Sequence, residues 1–239
     1  MSNETTTGSP ALAERIDKVR ARIRMAEVGA ERPENSVTLV AVSKTKPTSA
    51  IEQAYATGQR AFGENYVQEA VDKINALQHF TDIEWHFIGP LQSNKTRLVA
   101  EYFHWMHTVD RLKIAQRLST QRPAALPPLQ VLVQVNIDDE DSKSGVAAHE
   151  ALKLASQILT LPNLQLRGLM AIPKANVSAH EQSETLAALR TLFVELQQLD
   201  PNIDTLSVGM SNDLEAAVAH GSTLVRIGTD IFGPRETAA

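Results

Sequence analysis

The sequence predicts a single (β/α)8 barrel, the TIM barrel of the α/β class, with an extra helix before the first strand. The chain has 239 residues, close to the roughly 250 residues of a typical barrel of this kind. Eight short apolar runs rich in β-branched residues recur along it, and segments with apolar residues at helical spacing separate them. Because eight parallel strands joined by crossover helices can close into a barrel, we expect one closed sheet.

The predicted elements follow one another along the whole chain. The candidate strands are residues 37–43, 61–63, 84–89, 105–109, 129–137, 164–172, 205–208 and 223–227. A helix at residues 11–28 is expected to cover the bottom or the flank of the barrel. Residues 1–10 are expected to form a flexible tail before one domain at residues 11–239. A doubly wound open sheet shows the same alternation, and periodicity alone leaves closure open.

The composition excludes several classes of function. Hydrophobic residues make up 43% of the chain and cysteine is absent, which predicts a packed core and excludes disulfides, thiolate metal sites and a nucleophilic cysteine. The net charge of -5 and the aromatic content of 5% do not favour nucleic acid as a partner. The histidines show no metal-ligand spacing, and no apolar run approaches the roughly 20 residues of a membrane span. We therefore expect a cytoplasmic protein without a metal.

Lys44 is the first candidate site residue, because the active sites of barrels lie at the carboxyl ends of the strands. Alternation places Lys44 on the same face as Val40 and Val42. If that face lines the barrel, desolvation supplies the neutral amine that a carbonyl needs for Schiff base formation. The alternative is a solvated lysine at a strand end.

The segments after the last two strands form a candidate anion cradle. Residues 207–211 are a small, flexible turn before an amphipathic helix. Free backbone N–H groups and the positive end of a helix attract a phosphate, and barrels often bind one after strands seven and eight. In the last strand Gly228 permits close backbone approach, and Thr229 adds a hydroxyl. The alternative is a plain helix cap with a turn glycine.

Three further polar residues lie in predicted strands or just after them. Arg226 shares a strand face with Gly228, so the barrel lumen could contain its guanidinium. A buried cation must find an acceptor, and a salt bridge to a neighbouring carboxylate is the structural alternative. Asn65 is a candidate to bond the ring hydroxyl of a cofactor, and His86 is a candidate to line the pocket. Both could equally be satisfied within the fold.

Taken together, these motifs resemble the YggS/PROSC family, the pyridoxal phosphate homeostasis proteins related to the barrel domain of alanine racemase. The matching segments, in order, are AVSKTKP at 41–47, FGENYVQE at 62–69, WHFIGPLQSNK at 85–95, SKSG at 142–145, GLMAI at 168–172, SVGMS at 207–211 and VRIGT at 225–229. Only the beginning and the tail of the chain fall outside this agreement.

The resemblance implies a fold-type III barrel with pyridoxal 5′-phosphate (PLP) held covalently as a Schiff base on Lys44. It further implies that Ser211, Gly228 and Thr229 hold the phosphate and that Arg226 approaches the pyridine nitrogen. The expected cofactor-binding set is completed by Asn65, His86, Met170, Ser207 and Met210. An arginine cannot readily accept the pyridine proton, so it should keep that nitrogen neutral and weaken the ring as an electron sink.

The resemblance also implies a carrier that buffers or delivers PLP and affects amino-acid and keto-acid balance, with PLP-dependent apoenzymes as recipients. We expect a monomer without catalytic residues, and a dimer stays open. One alternative is an amino-acid racemase or decarboxylase. It would need a second acid or base opposite Lys44 and a β-rich domain, for which eight βα units leave no room. Another is an aldolase-type lysine acting on a sugar phosphate, which the anion cradle would fit as well.

Overall fold

The structure, a computed structural model, describes residues 9–138, 140 and 144–234. Its strands are β1 (Thr38–Val42), β2 (Ala61–Glu64), β3 (Glu84–Phe87), β4 (Trp105–Val109), β5 (Leu129–Asn136), β6 (Val146–Ala147), β7 (Leu164–Ala171), β8 (Thr205–Ser207) and β9 (Leu224–Ile227). Its α-helices are α1 (Ser9–Gly29), α2 (Thr48–Ala56), α3 (Val67–Ala76), α4 (Thr96–Tyr102), α5 (Leu112–Gln121), α6 (Ala148–Ile158), α7 (Ala179–Gln197), α8 (Leu214–Ala219) and α9 (Thr229–Phe232). A 3-10 turn at Ser93–Lys95 precedes α4.

The strands form one closed parallel barrel. Hydrogen-bonded neighbours run β1, β2, β3, β4, β5, β7, β8, β9 and back to β1, and every pairing is parallel. This confirms the predicted barrel and excludes the open sheet. The sequence pattern missed β6, a strand of two residues that pairs with the end of β5, because so short a segment has no periodicity to detect.

The barrel separates an outer core from its lumen. Strand residues such as Phe62, Phe87 and Met106 belong to the main apolar cluster, which also contains the buried faces of the helices. Two much smaller clusters lie apart from it: Val40, Ala61 and Leu224 form one, and Trp105, Leu132 and Met170 form the other. Because inward-facing and outward-facing side chains alternate along each strand, the rest of the lumen is available to the polar side chains described below.

Helix α1 fixes the connection into the first strand. Ile16, Val19 and Ile23 are buried, and the helix packs against α2, α8 and α9. The buried Glu27 carboxylate accepts hydrogen bonds from the backbone N–H of Val37 at 2.8 Å and of Asn35 at 3.2 Å. The predicted extra helix is confirmed and begins at Ser9, so the predicted flexible tail falls mainly on residues 1–8, outside the described part of the chain.

Two classes of site receive no support in the described ranges. None of the helices there combines the length and apolar content of a membrane-spanning segment. The same residues contain no group of three or more histidine and acidic side chains able to hold a metal ion.

Gly168 in β7 supplies a test of barrel packing. Its φ is +148°, and a Cβ atom built there would lie 1.9 Å from the Thr205 carbonyl oxygen of β8. We expect Gly168→Ala to lower the free energy of unfolding by about 2 kcal/mol or more, because β7 and β8 would have to separate. Gly29→Ala at the end of α1 meets nothing within 4 Å and serves as the control in urea unfolding. Equal stability of the two variants would contradict this close approach.

Candidate functional site

The loops that carry the predicted site residues meet at one mouth of the barrel. A Cβ atom built on Gly228 would lie 3.3 Å from the Val42 carbonyl oxygen, so the end of β9 lies directly against the end of β1. The Arg226 N–H donates to the Gly209 carbonyl at 2.9 Å, which holds the loop after β8 beside β9. Closure of the barrel therefore brings together segments that are far apart in sequence.

Lys44 lies in the turn that follows β1 and is half-buried. The next residue, Thr45, has a positive φ of 62°, which is uncommon for a β-branched side chain and needs support from its surroundings. That support comes from hydrogen bonds on both sides of Lys44. The Ser43 carbonyl accepts from Lys73 Nζ at 2.8 Å, and the Thr45 N–H donates to the Glu69 carboxylate at 2.6 Å.

A buried ionic cluster in β2 and α3 organises this turn. Lys73 Nζ lies 2.9 Å from Glu64 Oε1 and 2.6 Å from Glu69 Oε1. The Ser43 hydroxyl donates to the same Glu64 oxygen at 2.6 Å. Burial raises the pKa of Glu64 and outweighs the opposing effect of Lys73. The cation is thus the central element, contacting both carboxylates and the backbone next to Lys44.

The loop after β8, the predicted anion cradle, has one N–H group that already has a partner. Gly209 has a φ of +108°, and a Cβ atom there would lie 2.8 Å from that of Ala217. The Met210 N–H donates to the Asp213 carboxylate at 2.6 Å. Neither the N–H nor the hydroxyl of Ser211 forms a hydrogen bond within the described residues. This loop therefore has donors available for an anion at Ser211.

Arg22 of helix α1 ties this loop to α8 and α9. Its Nη2 donates to the Ser211 carbonyl at 2.9 Å, and the guanidinium pairs with Glu215 at 2.7 Å and with Asp230 at 2.6 Å. These contacts raise the pKa of Arg22, with the Glu215 hydrogen bond as the largest cause. The extra N-terminal helix thus helps to position both phosphate-site candidates, the loop at Ser211 and the segment at Thr229.

Arg226 is 4% exposed and points across the sheet rather than toward a carboxylate. Its Nη1 donates to the carbonyl of Ser207 at 2.8 Å and to the hydroxyl at 2.6 Å, and its Nη2 donates to the Ala171 carbonyl at 3.0 Å. Burial lowers the pKa of Arg226 to about 10, and Asp213 opposes that shift. The lumen location left open by the sequence is therefore found, whereas no ion pair within 4 Å is formed among the described residues.

The other predicted site residues lie at different depths. Asn65 follows β2 and is half-buried, and its Oδ1 is a buried atom without a partner in the described ranges. Met210 is 38% exposed at the rim, whereas Met170 is fully buried in the small lumen cluster. His86 and Ser207 lie deeper in the lumen, where His86 Nδ1 is 2.9 Å from His107 Nε2. His86 thus has a partner at Nδ1, whereas its Nε2 is a buried atom without a hydrogen bond in the described ranges.

Sequence reasoning missed four groups of this site: the Glu69 and Lys73 pair, Arg22, Asp213 and His107. The i, i+4 spacing of Glu69 and Lys73 was visible but is common on exposed helices. The parity of His107 with Trp105 in β4 could have placed it in the lumen. No pattern in the sequence signals Arg22 or Asp213, because their partners are set by how distant segments pack.

Comparison with known proteins agrees with this geometry. The sequence profile of the family described as alanine racemase, N-terminal domain, matches residues 15–236. The chain belongs to this family. Within it, the pyridoxal phosphate homeostasis protein of Escherichia coli strain K12 is 56% identical over 227 residues, covering 94% of this chain and 97% of the relative. That of Pseudomonas aeruginosa is 55% identical over 228 residues, covering 95% and 97%.

These relatives confirm the resemblance stated from the motifs. They are named as homeostasis proteins and not as enzymes, in agreement with the expectation that this family member is not a turnover enzyme. Among solved structures, PipY of Synechococcus elongatus with PLP bound is 38% identical, with a TM-score of 0.80, and covers 93% of this chain and 100% of its own. Alanine racemase of Corynebacterium glutamicum, at 16% identity and a TM-score of 0.65, shares the fold, with 93% and 62% covered.

The ionic cluster beside Lys44 makes a prediction about stability. Lys73→Met leaves Glu64 as an uncompensated buried carboxylate, so we expect a loss of about 3–5 kcal/mol in the free energy of unfolding. Adding Glu64→Gln removes that charge and should recover much of the loss. Urea unfolding at neutral pH of the single and double variants measures both. A double variant no more stable than Lys73→Met would show that the cluster does not act through charge pairing.

Proposed function

We propose that this chain binds PLP at the barrel mouth as a Schiff base on Lys44 and acts in intracellular PLP homeostasis. The observation that carries the proposal is the meeting of the Lys44 turn, the Gly228 backbone and the buried Arg226 at one mouth, in a relative of proteins that bear this name. In this function the chain buffers the cofactor in the cytoplasm and delivers it to PLP-dependent apoenzymes, with an effect on amino-acid and keto-acid balance.

The residues of the mouth fit the chemical groups of PLP. When PLP is bound, the Lys44 amine would condense with its aldehyde, forming a C=N bond and releasing one water. A Cβ atom on Gly228 would fit only tightly against Val42, and the glycine lets the backbone approach a phosphate closely. The Ser211 N–H and hydroxyl and the Thr229 hydroxyl supply donors. The unpartnered Asn65 amide is a candidate for the ring hydroxyl.

Arg226 is suited to the pyridine nitrogen. Three of its five N–H groups have protein acceptors, which leaves two for a ligand. A guanidinium donates a hydrogen bond but does not readily give up its proton, so it keeps the ring nitrogen neutral. A neutral ring withdraws electrons weakly, which disfavours transamination and racemisation and favours storage of the cofactor.

Asp213 sets a condition on phosphate binding. Its carboxylate occupies the Met210 N–H at the cradle and would repel a phosphate placed beside it. We propose that the phosphate is held by Ser211 and by the Gly228 and Thr229 segment, with Met210 forming the rim. Met170, Ser207 and His86 support the site from the lumen. We further propose a monomer, since each of these groups comes from one chain.

The lysine assignment is tested by trapping the bond. Purified chain incubated with PLP should retain visible absorbance after dialysis, and borohydride reduction followed by peptide mass analysis should find the pyridoxyl group on Lys44. Lys44→Ala should lose the retained absorbance. Lys46→Ala, whose Nζ contacts the Pro234 carbonyl at 3.0 Å, is the neighbouring control and should keep it. A reduced adduct at another lysine in the wild type would reject the assignment.

Absence of turnover is tested by exchange of the α-proton. We expect the PLP-loaded chain, incubated with each amino acid in deuterium oxide, to exchange that proton at least about 100-fold more slowly than the roughly 1 s⁻¹ of a slow ordinary enzyme. Free PLP at the same concentration gives the baseline. Exchange at catalytic rates would favour a racemase, and cleavage of a sugar phosphate by cofactor-free protein would favour an aldolase.

A further inference from the structure

The barrel lumen contains a row of polar side chains, two of which, His107 and Glu84, have no role in the proposed function. Arg226 bonds to Ser207, whose hydroxyl is 3.0 Å from His107 Nδ1, and His107 Nε2 is 2.9 Å from His86 Nδ1. His86 Nε2 lies 3.5 Å from the Glu84 carboxylate. We call these five residues the lumen chain. Since β4 and β8 are not neighbours in the sheet, the bond between His107 and Ser207 must cross the lumen.

We propose that Arg226, Ser207, His107 and His86 form a one-directional series of hydrogen bonds, with the Glu84 carboxylate as the charged group at its far end, in which His107 is a positioning residue for Arg226. The inference rests on the proposed role of Arg226 at the pyridine nitrogen, and it concerns the residues that orient the Arg226 guanidinium. No carboxylate pairs directly with this guanidinium in the described part of the chain, so its orientation depends on carbonyl and hydroxyl acceptors.

The direction of the hydrogen bonds in the lumen chain follows from donor and acceptor chemistry. Arginine only donates, so Ser207 Oγ accepts from Arg226, and the hydroxyl hydrogen then has His107 Nδ1 as its acceptor. His107 Nδ1 is therefore unprotonated, and its ring hydrogen is on Nε2, facing His86 Nδ1. By the same rule the hydrogen of His86 is on Nε2, facing Glu84.

The opposite direction is less favourable at two places. If His107 Nδ1 carried the hydrogen, the Ser207 hydroxyl would donate to nothing in the described ranges. An unprotonated His86 Nε2 would also face a carboxylate oxygen, an acceptor against an acceptor. Glu84 further accepts from the Trp105 indole N–H, and the His86 ring stacks on Trp105 with centroids 5.4 Å apart. These contacts hold the Glu84 end of the chain in place.

Burial keeps both imidazoles neutral, as this direction requires. It lowers the pKa of His86 to about 3 and the pKa of His107 well below 6.5. The charged groups around them act in both directions: Arg226 and His104 disfavour a cationic ring, whereas Glu84 at the far end favours one. A neutral His107 adds no repulsion to Arg226 and polarises the Ser207 hydroxyl, which improves it as an acceptor for the guanidinium.

The lumen chain spans the barrel between two different environments. Arg226 lies beside the mouth that carries Lys44. The Glu84 side chain is 46% exposed and lines a cavity of about 350 Å³ together with Arg20, Arg60 and Gln59. A negative end in contact with solvent and a positive end at the ligand site give the series a fixed polarity. The direction of the hydrogen bonds that reach Arg226 therefore depends on His107 and His86, on the far side of the lumen.

The ring tautomers provide a test that needs no cofactor. In the unloaded chain with 15N-labelled histidine, NMR should show an unprotonated Nδ1 and a protonated Nε2 for both His107 and His86, neutral from about pH 5 to pH 8. Variants His86→Gln and His107→Gln assign the signals. A protonated His107 Nδ1, or a cationic ring within that range, would overturn the proposal.

The effect on the ligand provides a second test with its own controls. In PLP-loaded protein, Ser207→Ala and His107→Phe should each move the pH midpoint of the visible Schiff base band by about one pH unit or more. The reason is that the Arg226 guanidinium would no longer be held in one orientation toward the ring. His107→Asn keeps an acceptor near the position of Nδ1 and should restore part of the shift. His149→Asn, exposed on α6, should leave the midpoint unchanged.

The two tests separate failure of the inference from failure of the proposed function. Wild-type midpoints in both Ser207→Ala and His107→Phe would overturn the positioning role. If the wild type never shows a visible band, the Lys44 assignment fails, and the tautomer measurement still decides the direction of the lumen chain.

Discussion

Arg226 is a cation enclosed by a closed sheet, and the polar contents of the lumen follow from that fact. The cost of removing an ion from water is several kcal/mol even after relaxation, so acceptors must reach it from inside the barrel. They come from Ser207 and Ala171, at the ends of the two strands beyond β9. The hydrogen bonds continue through His107 to His86, which lies near Glu84. Within the described residues, the lumen therefore contains a polar series beside two small apolar clusters.

Two ionic clusters outside the lumen hold the mouth. Lys73 and its two carboxylates fix the turn at Lys44, and Arg22 fixes the loop at Ser211. Both act on backbone groups, so they set the geometry of the loops. Loops held in this way need little reordering on binding, which suits a protein whose proposed task is to hold a cofactor rather than to transform it.

Much of the fold could be predicted because it depends on local pattern. All eight barrel strands and the extra helix lie where periodicity placed them, and strand parity made the lumen one possible location for Arg226. The pattern could not distinguish a salt bridge from carbonyl acceptors for that guanidinium. It also gave no sign that the Asp213 carboxylate would accept a hydrogen bond from the Met210 N–H, because the same small and polar residue types form anion cradles and helix caps.

The sequence by itself determined the alternation of strands and helices, the number of strands that closes a barrel, the family, and which strand ends carry polar residues. Only the tertiary structure decided which of those residues meet. His107 and Ser207 are 100 positions apart, and their contact depends on the stagger with which the sheet closes. A period of two along each strand specifies which face a side chain occupies, but it contains no information about that stagger.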